Sequence, residues 1–139
     1  MAVTATSQTL FDGERIAIMK FYMTTTDTAG ETAVAKVTPS ALLPSSAGGA
    51  CDSVSILKMY TMTHGLEVQM NWAATAPVVI AVIPQNTNYT QDFSNFGGLW
   101  NNAGAGKTGI ITFTTLDQSA GDSYTVVLEM QKHYATPTT

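Results

Sequence analysis

The residues best equipped for chemistry in this chain are Gly106-Lys107-Thr108, the histidines His64 and His133, the thiol of Cys51, and two carboxylate pairs, Asp12 with Glu14 and Asp117 with Asp122. Gly-Lys-Thr suggests a phosphate cradle. That motif requires a glycine five residues before Gly106, and position 101 is Asn. It also requires a helix after the Lys-Thr pair, so that N-terminal amides can hold the anion. Here Gly109-Ile110-Ile111-Thr112-Phe113-Thr114 follows, which reads as a strand. Lys107 is then a solvated or carbonyl-capping side chain in a glycine-rich loop. The histidines are not at metal-ligand spacing; a turn position for His64 and a strand-end position for His133 explain both. A hydrolytic triad would need a Ser or Cys nucleophile beside one of them, and no nucleophile-elbow pattern surrounds any serine. Solvated turn charges account for the carboxylates, and Asp117 to Asp122 lacks the regular acidic spacing of a calcium loop. With Cys51 as the single cysteine, an intrachain disulfide and a multi-cysteine metal site are both ruled out. The expectation is no catalysis, no cofactor and no metal.

What remains is recognition chemistry, concentrated between Asp92 and Gly109. This stretch carries five of the eleven glycines, three asparagines and one of the two tryptophans. It shows neither helical period nor strand alternation. A long irregular segment between strands of a compact β domain is commonly functional. Phe96, Leu99 and Trp100 are the candidate apolar anchors of a protein interface. Asn101, Asn102 and Lys107 are its candidate polar contacts. Trp72, Tyr89, Phe93, Phe96 and Trp100 could instead form a sugar-stacking platform, although aromatics of this kind more often fill a core or a subunit interface. Asn88-Tyr89-Thr90 matches a glycosylation sequon and, with no secretory signal in view, is read as chance.

The elements that must hold this loop are strands. Glu14 to Thr24 is largely apolar on both faces, as in a strand covered on two sides, with a helix over Glu14 to Phe21 as the competing reading. Glu31 to Thr38 alternates loosely. Pro39 to Gly49 is a loop with room for one helical turn at Ser40 to Leu43. Val54 to Thr63 and Leu66 to Trp72 read as a hairpin turning at His64-Gly65. In its second arm Leu66, Val68, Met70 and Trp72 point inward. Pro77 to Ile83 reads as a buried strand, Asn86 to Asp92 as a short one, and Ile110 to Leu116 as the strand that follows the glycine loop. Ser123 to Tyr134 alternates almost without fault, with Tyr124, Val126, Leu128 and Met130 on one face. Residues 1–9 are expected to be a flexible arm, and 135–139 a loose tail. Seven or eight short strands with regular turn signals predict one all-β domain over 1–139, an antiparallel sandwich or jelly roll.

Composition narrows the partners. The chain of 139 residues is 45% apolar, enough for a core, yet only 12% charged, about half the usual share of roughly 25%. Threonine, with 22 copies, occupies the place of charge. Charged side chains are depleted at interface centres, so a weakly charged surface suits coverage by other chains. Net charge is −4 and the six basic residues are scattered, which argues against nucleic acid. The longest apolar run, Val78 to Ile83, is too short to span a membrane as a helix. Met1 to Leu10 has neither a basic start nor an apolar run, so a cytosolic site of synthesis and assembly is expected.

Several segments resemble a family of small virion proteins of tailed bacteriophages. They are Thr9-Leu10-Phe11-Asp12-Gly13-Glu14-Arg15 running into Met19-Lys20-Phe21, Gly30-Glu31-Thr32-Ala33-Val34, Asn101 to Gly109 with Phe113-Thr114-Thr115, and Gly121-Asp122 before the last strand. Together they span most of the chain, and the run ending in Lys107-Thr108-Gly109 is the most specific. The resemblance implies a structural virion protein without catalysis. The leading expectation is a capsid decoration or cement protein on the shell surface, oligomeric, touching the major capsid protein and copies of itself, with no small-molecule substrate. A neck, tail or fibre-associated protein and a host-glycan-binding module are the alternatives.

Overall fold

The computed structural model describes residues 3–134. Nine strands form two antiparallel sheets. In chain order they are β1 (Val3–Asp12), β2 (Ile16–Thr25), β3 (Val34–Val37), β4 (Cys51–His64), β5 (Glu67–Trp72), β6 (Val78–Ile83), β7 (Asn88–Asp92), β8 (Ile111–Leu116) and β9 (Ser123–Tyr134). The larger sheet runs β1-β2-β9-β4-β7 and the smaller β3-β8-β5-β6. Apart from β1, this is the strand order of an eight-stranded jelly roll, with β1 added to one edge of the larger sheet. Single 3-10 turns occur at Pro39–Ala41 and Ser94–Phe96.

The core lies between the sheets and follows from strand periodicity. Tyr124, Val126, Leu128 and Met130 of β9 are buried, as are Val68, Met70 and Trp72 of β5, each set facing the other sheet. Phe113 of β8 sits between rings of the opposite sheet, edge-on to Phe21 at 5.3 Å and to Tyr124 at 5.8 Å. Such edge-to-face pairs add about 0.5–1.5 kcal/mol each beyond area burial.

Two polar clusters fasten the layers. Glu31 accepts from Lys36 Nζ (2.5 Å) and from the Tyr124 hydroxyl (2.5 Å), all three buried. Burial, then the hydrogen bond to Glu31 and its charge, push the Tyr124 phenol far above its ordinary range. At one end of the sandwich, Lys132 Nζ donates to Asp12 Oδ1 (2.5 Å), Gly13 O (2.9 Å) and Leu43 O (2.8 Å). All three donors of one ammonium are thus used, joining β9 to the β1–β2 turn and to the loop before β4.

Several expectations change. Residues 3–9 are strand, not a flexible arm, and bring the count to nine; residues 1–2 and the expected tail at 135–139 lie outside the described residues. The uncharged Thr-Ala-Ser composition hides β1 because it is an edge strand, held by its ladder to β2 and almost fully exposed. β4 and β5 are consecutive but not paired. β4 lies between β9 and β7, so no edge is free for β5, and the chain crosses at Gly65 to the other sheet. β6 is also an edge strand: it pairs only with β5, and Val79 and Val82 are exposed.

Candidate functional site

The segment between β7 and β8 crosses from the larger sheet to the smaller at one end of the sandwich. Its first half extends the larger sheet. Where β7 stops, Leu99 takes its place beside β4: the Ile56 amide donates to Leu99 O (3.0 Å) and the Leu99 amide to Ile56 O (2.8 Å). The Phe93 amide reaches Leu57 O (2.7 Å) and the Gly98 amide closes the short turn onto Phe93 O (2.9 Å). Asp92 Oδ1 caps that turn, accepting from the Ser94 amide (2.9 Å) and hydroxyl (2.5 Å), and these bonds hold its carboxyl below the usual value. The second half extends the smaller sheet. The Thr75 amide donates to Ala105 O (3.2 Å), that of Thr108 to Ala73 O (3.2 Å), and that of Ala73 to Ile110 O (2.9 Å).

Glycine makes this close approach possible. Gly98 has φ +95°, and a Cβ there would lie 2.9 Å from Ile56 O; Gly109 has φ +82°, with Asp52 O 2.5 Å from the same position. An L side chain would be strained in both backbones and would push the loop off β4.

Of the six expected contact residues, Phe96 is 66% exposed at the end of its 3-10 turn. Leu99 is half-buried against the core and fastens the loop. Trp100 is 57% exposed but fixed. Its Nε1 donates to Gly97 O (3.1 Å), and its ring lies on the His133 imidazole with centroids 4.3 Å apart. Asn101 Oδ1 accepts from the Ala103 amide (3.0 Å), while Asn102 and Lys107 are exposed. The residues do not share one pocket. Phe96, Leu99 and Asn102 face an apolar groove with Val79 and Ile80 of β6, while Asn101 and Lys107 face a mixed cleft with Asp52; Trp100 is the wall between them. The aromatics named for a sugar platform separate likewise. Trp72 is in the core and Phe93 packs against the core, while Tyr89 on β7 is 39% exposed, so Trp100, Phe96 and Tyr89 are accessible but stand on different elements.

His133 and Ser55 form the contact that sequence reading missed. His133 Nε2 lies 3.1 Å from Ser55 Oγ, beneath Trp100. Ser55 is fully buried, and no carboxylate hydrogen-bonds the imidazole among the described residues, so the pair has neither an accessible nucleophile nor an orienting acid. Burial lowers the His133 pKa, and the charge of Asp52 opposes that shift. The Cys51 thiol is buried and its pKa raised by desolvation, the opposite of a reactive cysteine. Among the described residues no three His, Cys, Asp or Glu are grouped to hold a metal.

No protein-family model and no curated protein matches the chain. Among solved structures, a cupin domain from Bordetella pertussis Tohama I is similar at 9% identity and a TM-score of 0.32, over 93% of this chain and 93% of that one. So loose a likeness carries no weight on function, and the jelly roll rests on the strand order itself.

Proposed function

We propose that this chain is a structural virion protein of a tailed bacteriophage, a decoration or cement protein that binds the outside of the capsid as a homo-oligomer and bridges shell subunits. The observation that supports it most directly is Phe96, an aromatic ring 66% exposed on a loop whose backbone is bonded to both sheets. An exposed ring normally loses little by staying mobile. One presented on a fixed turn is ordered before binding, which lowers the entropy cost of contact. The bare edges point the same way. β1 from Val3 to Phe11 and β6 from Val78 to Ile83 contain no charged residue and no proline. Free edges in monomers are commonly guarded by such residues, so unguarded ones fit coverage by neighbouring chains. Many modest contacts repeated over a shell then act together through multivalency.

The test is the composition of purified particles of the phage that encodes the chain. A 14.7 kDa band at a copy number comparable to the shell protein supports the cement role. A low copy number would move the chain to the neck, tail or fibre, and absence from particles would overturn both virion readings.

A further inference from the structure

We propose that the cleft beside Trp100 is a binding site for a neutral glycan, with one pyranose ring stacked on the open face of the indole. This goes beyond the virion reading and does not depend on it. The cleft, of about 530 Å³, lies between the start of β4 and the glycine loop, lined by Asp52, Ser53, Trp100, Asn101, Lys107 and Thr108 among others. Its volume falls within the range of about 300–1,000 Å³ typical of small-ligand sites.

Three features select the ligand. First, the platform is fixed in advance. One face of the Trp100 ring is covered by His133, which is itself tied to Ser55, and the indole N–H is used by Gly97 O. The ring is still 57% exposed and lines the cleft, so its open side can receive the apolar C–H face of a sugar. Second, polar groups of both kinds stand beside it without partners. No hydrogen bond or ion pair engages the side chains of Asp52 or Lys107 among the described residues. Asp52 can only accept and Lys107 can only donate, while the Asn101 amide keeps its NH₂ after giving its oxygen to Ala103. Sugar hydroxyls, which donate and accept, match such a mixed set. Third, the charges cancel. One carboxylate and one ammonium lining the same cleft give little net attraction for phosphate, and the chain carries a net charge of −4, which disfavours nucleotides and acidic sugars.

The test uses the full chain with linear trisaccharides of glucose, galactose and N-acetylglucosamine, followed by NMR through the Trp100 indole N–H signal, assigned by its loss in Trp100→Phe. At least one sugar is expected to shift that signal saturably at millimolar concentration. Trp100→Ala should weaken this binding about tenfold or more, read from the sugar's own signals. Asp52→Asn, on an exposed side chain with no hydrogen bond or ion pair among the described residues, should weaken it without altering the far-ultraviolet spectrum. Sialyllactose and inorganic phosphate should bind no better than the neutral sugars. Failure of all three neutral sugars to bind, unchanged affinity in Trp100→Ala, or preference for the acidic ligands would overturn the proposal.

Discussion

Replacing Lys132 with Met removes an ammonium and keeps most of the aliphatic stem. The Lys132 side chain is 0% exposed and that of Asp12 is 14% exposed. The substitution leaves the Asp12 carboxylate with only the Leu43 amide (2.9 Å), and leaves two carbonyl acceptors, Gly13 O and Leu43 O, without the Lys132 donor. Breaking a buried pair in this way costs about 3–5 kcal/mol. Because Asp12 retains some contact with water, the lower end applies, about 3 kcal/mol. With a urea slope of about 1.5 kcal/mol per M, the unfolding midpoint should fall by roughly 2 M. Asp12→Asn in the Lys132→Met background should recover part of the loss, since it removes the stranded charge, and the double-mutant cycle then gives a coupling energy of opposite sign to the single losses. The pair also has a pH signature. Burial disfavours the Lys132 charge, but its bond to Asp12 and its interaction with the nearby Tyr134 side chain outweigh that and raise its pKa. A raised lysine stabilises the fold fully below its unfolded value of about 10.4, and the contribution is lost as pH climbs through the higher folded value. A Lys132→Met stability within about 0.5 kcal/mol of the parent would refute the assignment of this ammonium as the fastener of that end of the sandwich.

The loop supplies two further predictions. Gly98→Ala forces an L side chain into a φ of +95° and toward Ile56 O, so it should cost about 1–3 kcal/mol and speed hydrogen exchange at Leu99 and Ile56 while β9 amides stay protected. For His133, burial lowers the pKa against a weaker opposing pull from Asp52. The unfolded chain therefore takes up a proton near pH 6.5 before the folded one does. Stability due to this residue is intact above that value and declines as pH falls through it toward the folded pKa. The melting temperature measured from pH 7.5 to 5 should fall more steeply for the parent than for His133→Gln, and parallel curves would remove His133 from the account.

What the sequence made legible was the period of most strands after β1, and what it hid was the neighbour. The alternation of Tyr124, Val126, Leu128 and Met130 placed β9 correctly because one face of a sandwich strand is always dry. The same logic oriented Leu66, Val68, Met70 and Trp72, yet the hairpin expected from them does not exist. Both sheets bury their inner faces on one core, so a strand shows the same alternation whichever sheet it joins. Gly65 permits a tight reversal but does not say whether the chain returns to the same sheet or crosses to the other. That choice was made far away, by the β9 residues Ser123 to Tyr134 pairing along the whole of β4. β6 misleads in the complementary way: its apolar run suggested a buried strand, whereas it is an edge with Val79 and Val82 in the open. Apolar character reports that something covers a strand, and that something can be another chain. The loop divides on the same line. Its glycines and its exposed Phe96 could be anticipated from composition. The stacking of Trp100 on His133 joins residues 33 apart in sequence with no periodic relation, and only the approach of the loop to β4 brings them together. A candidate surface assembled at the crossing point of two sheets is therefore the part of a jelly roll least readable from local pattern, although every side chain that forms it stands in plain view in the sequence.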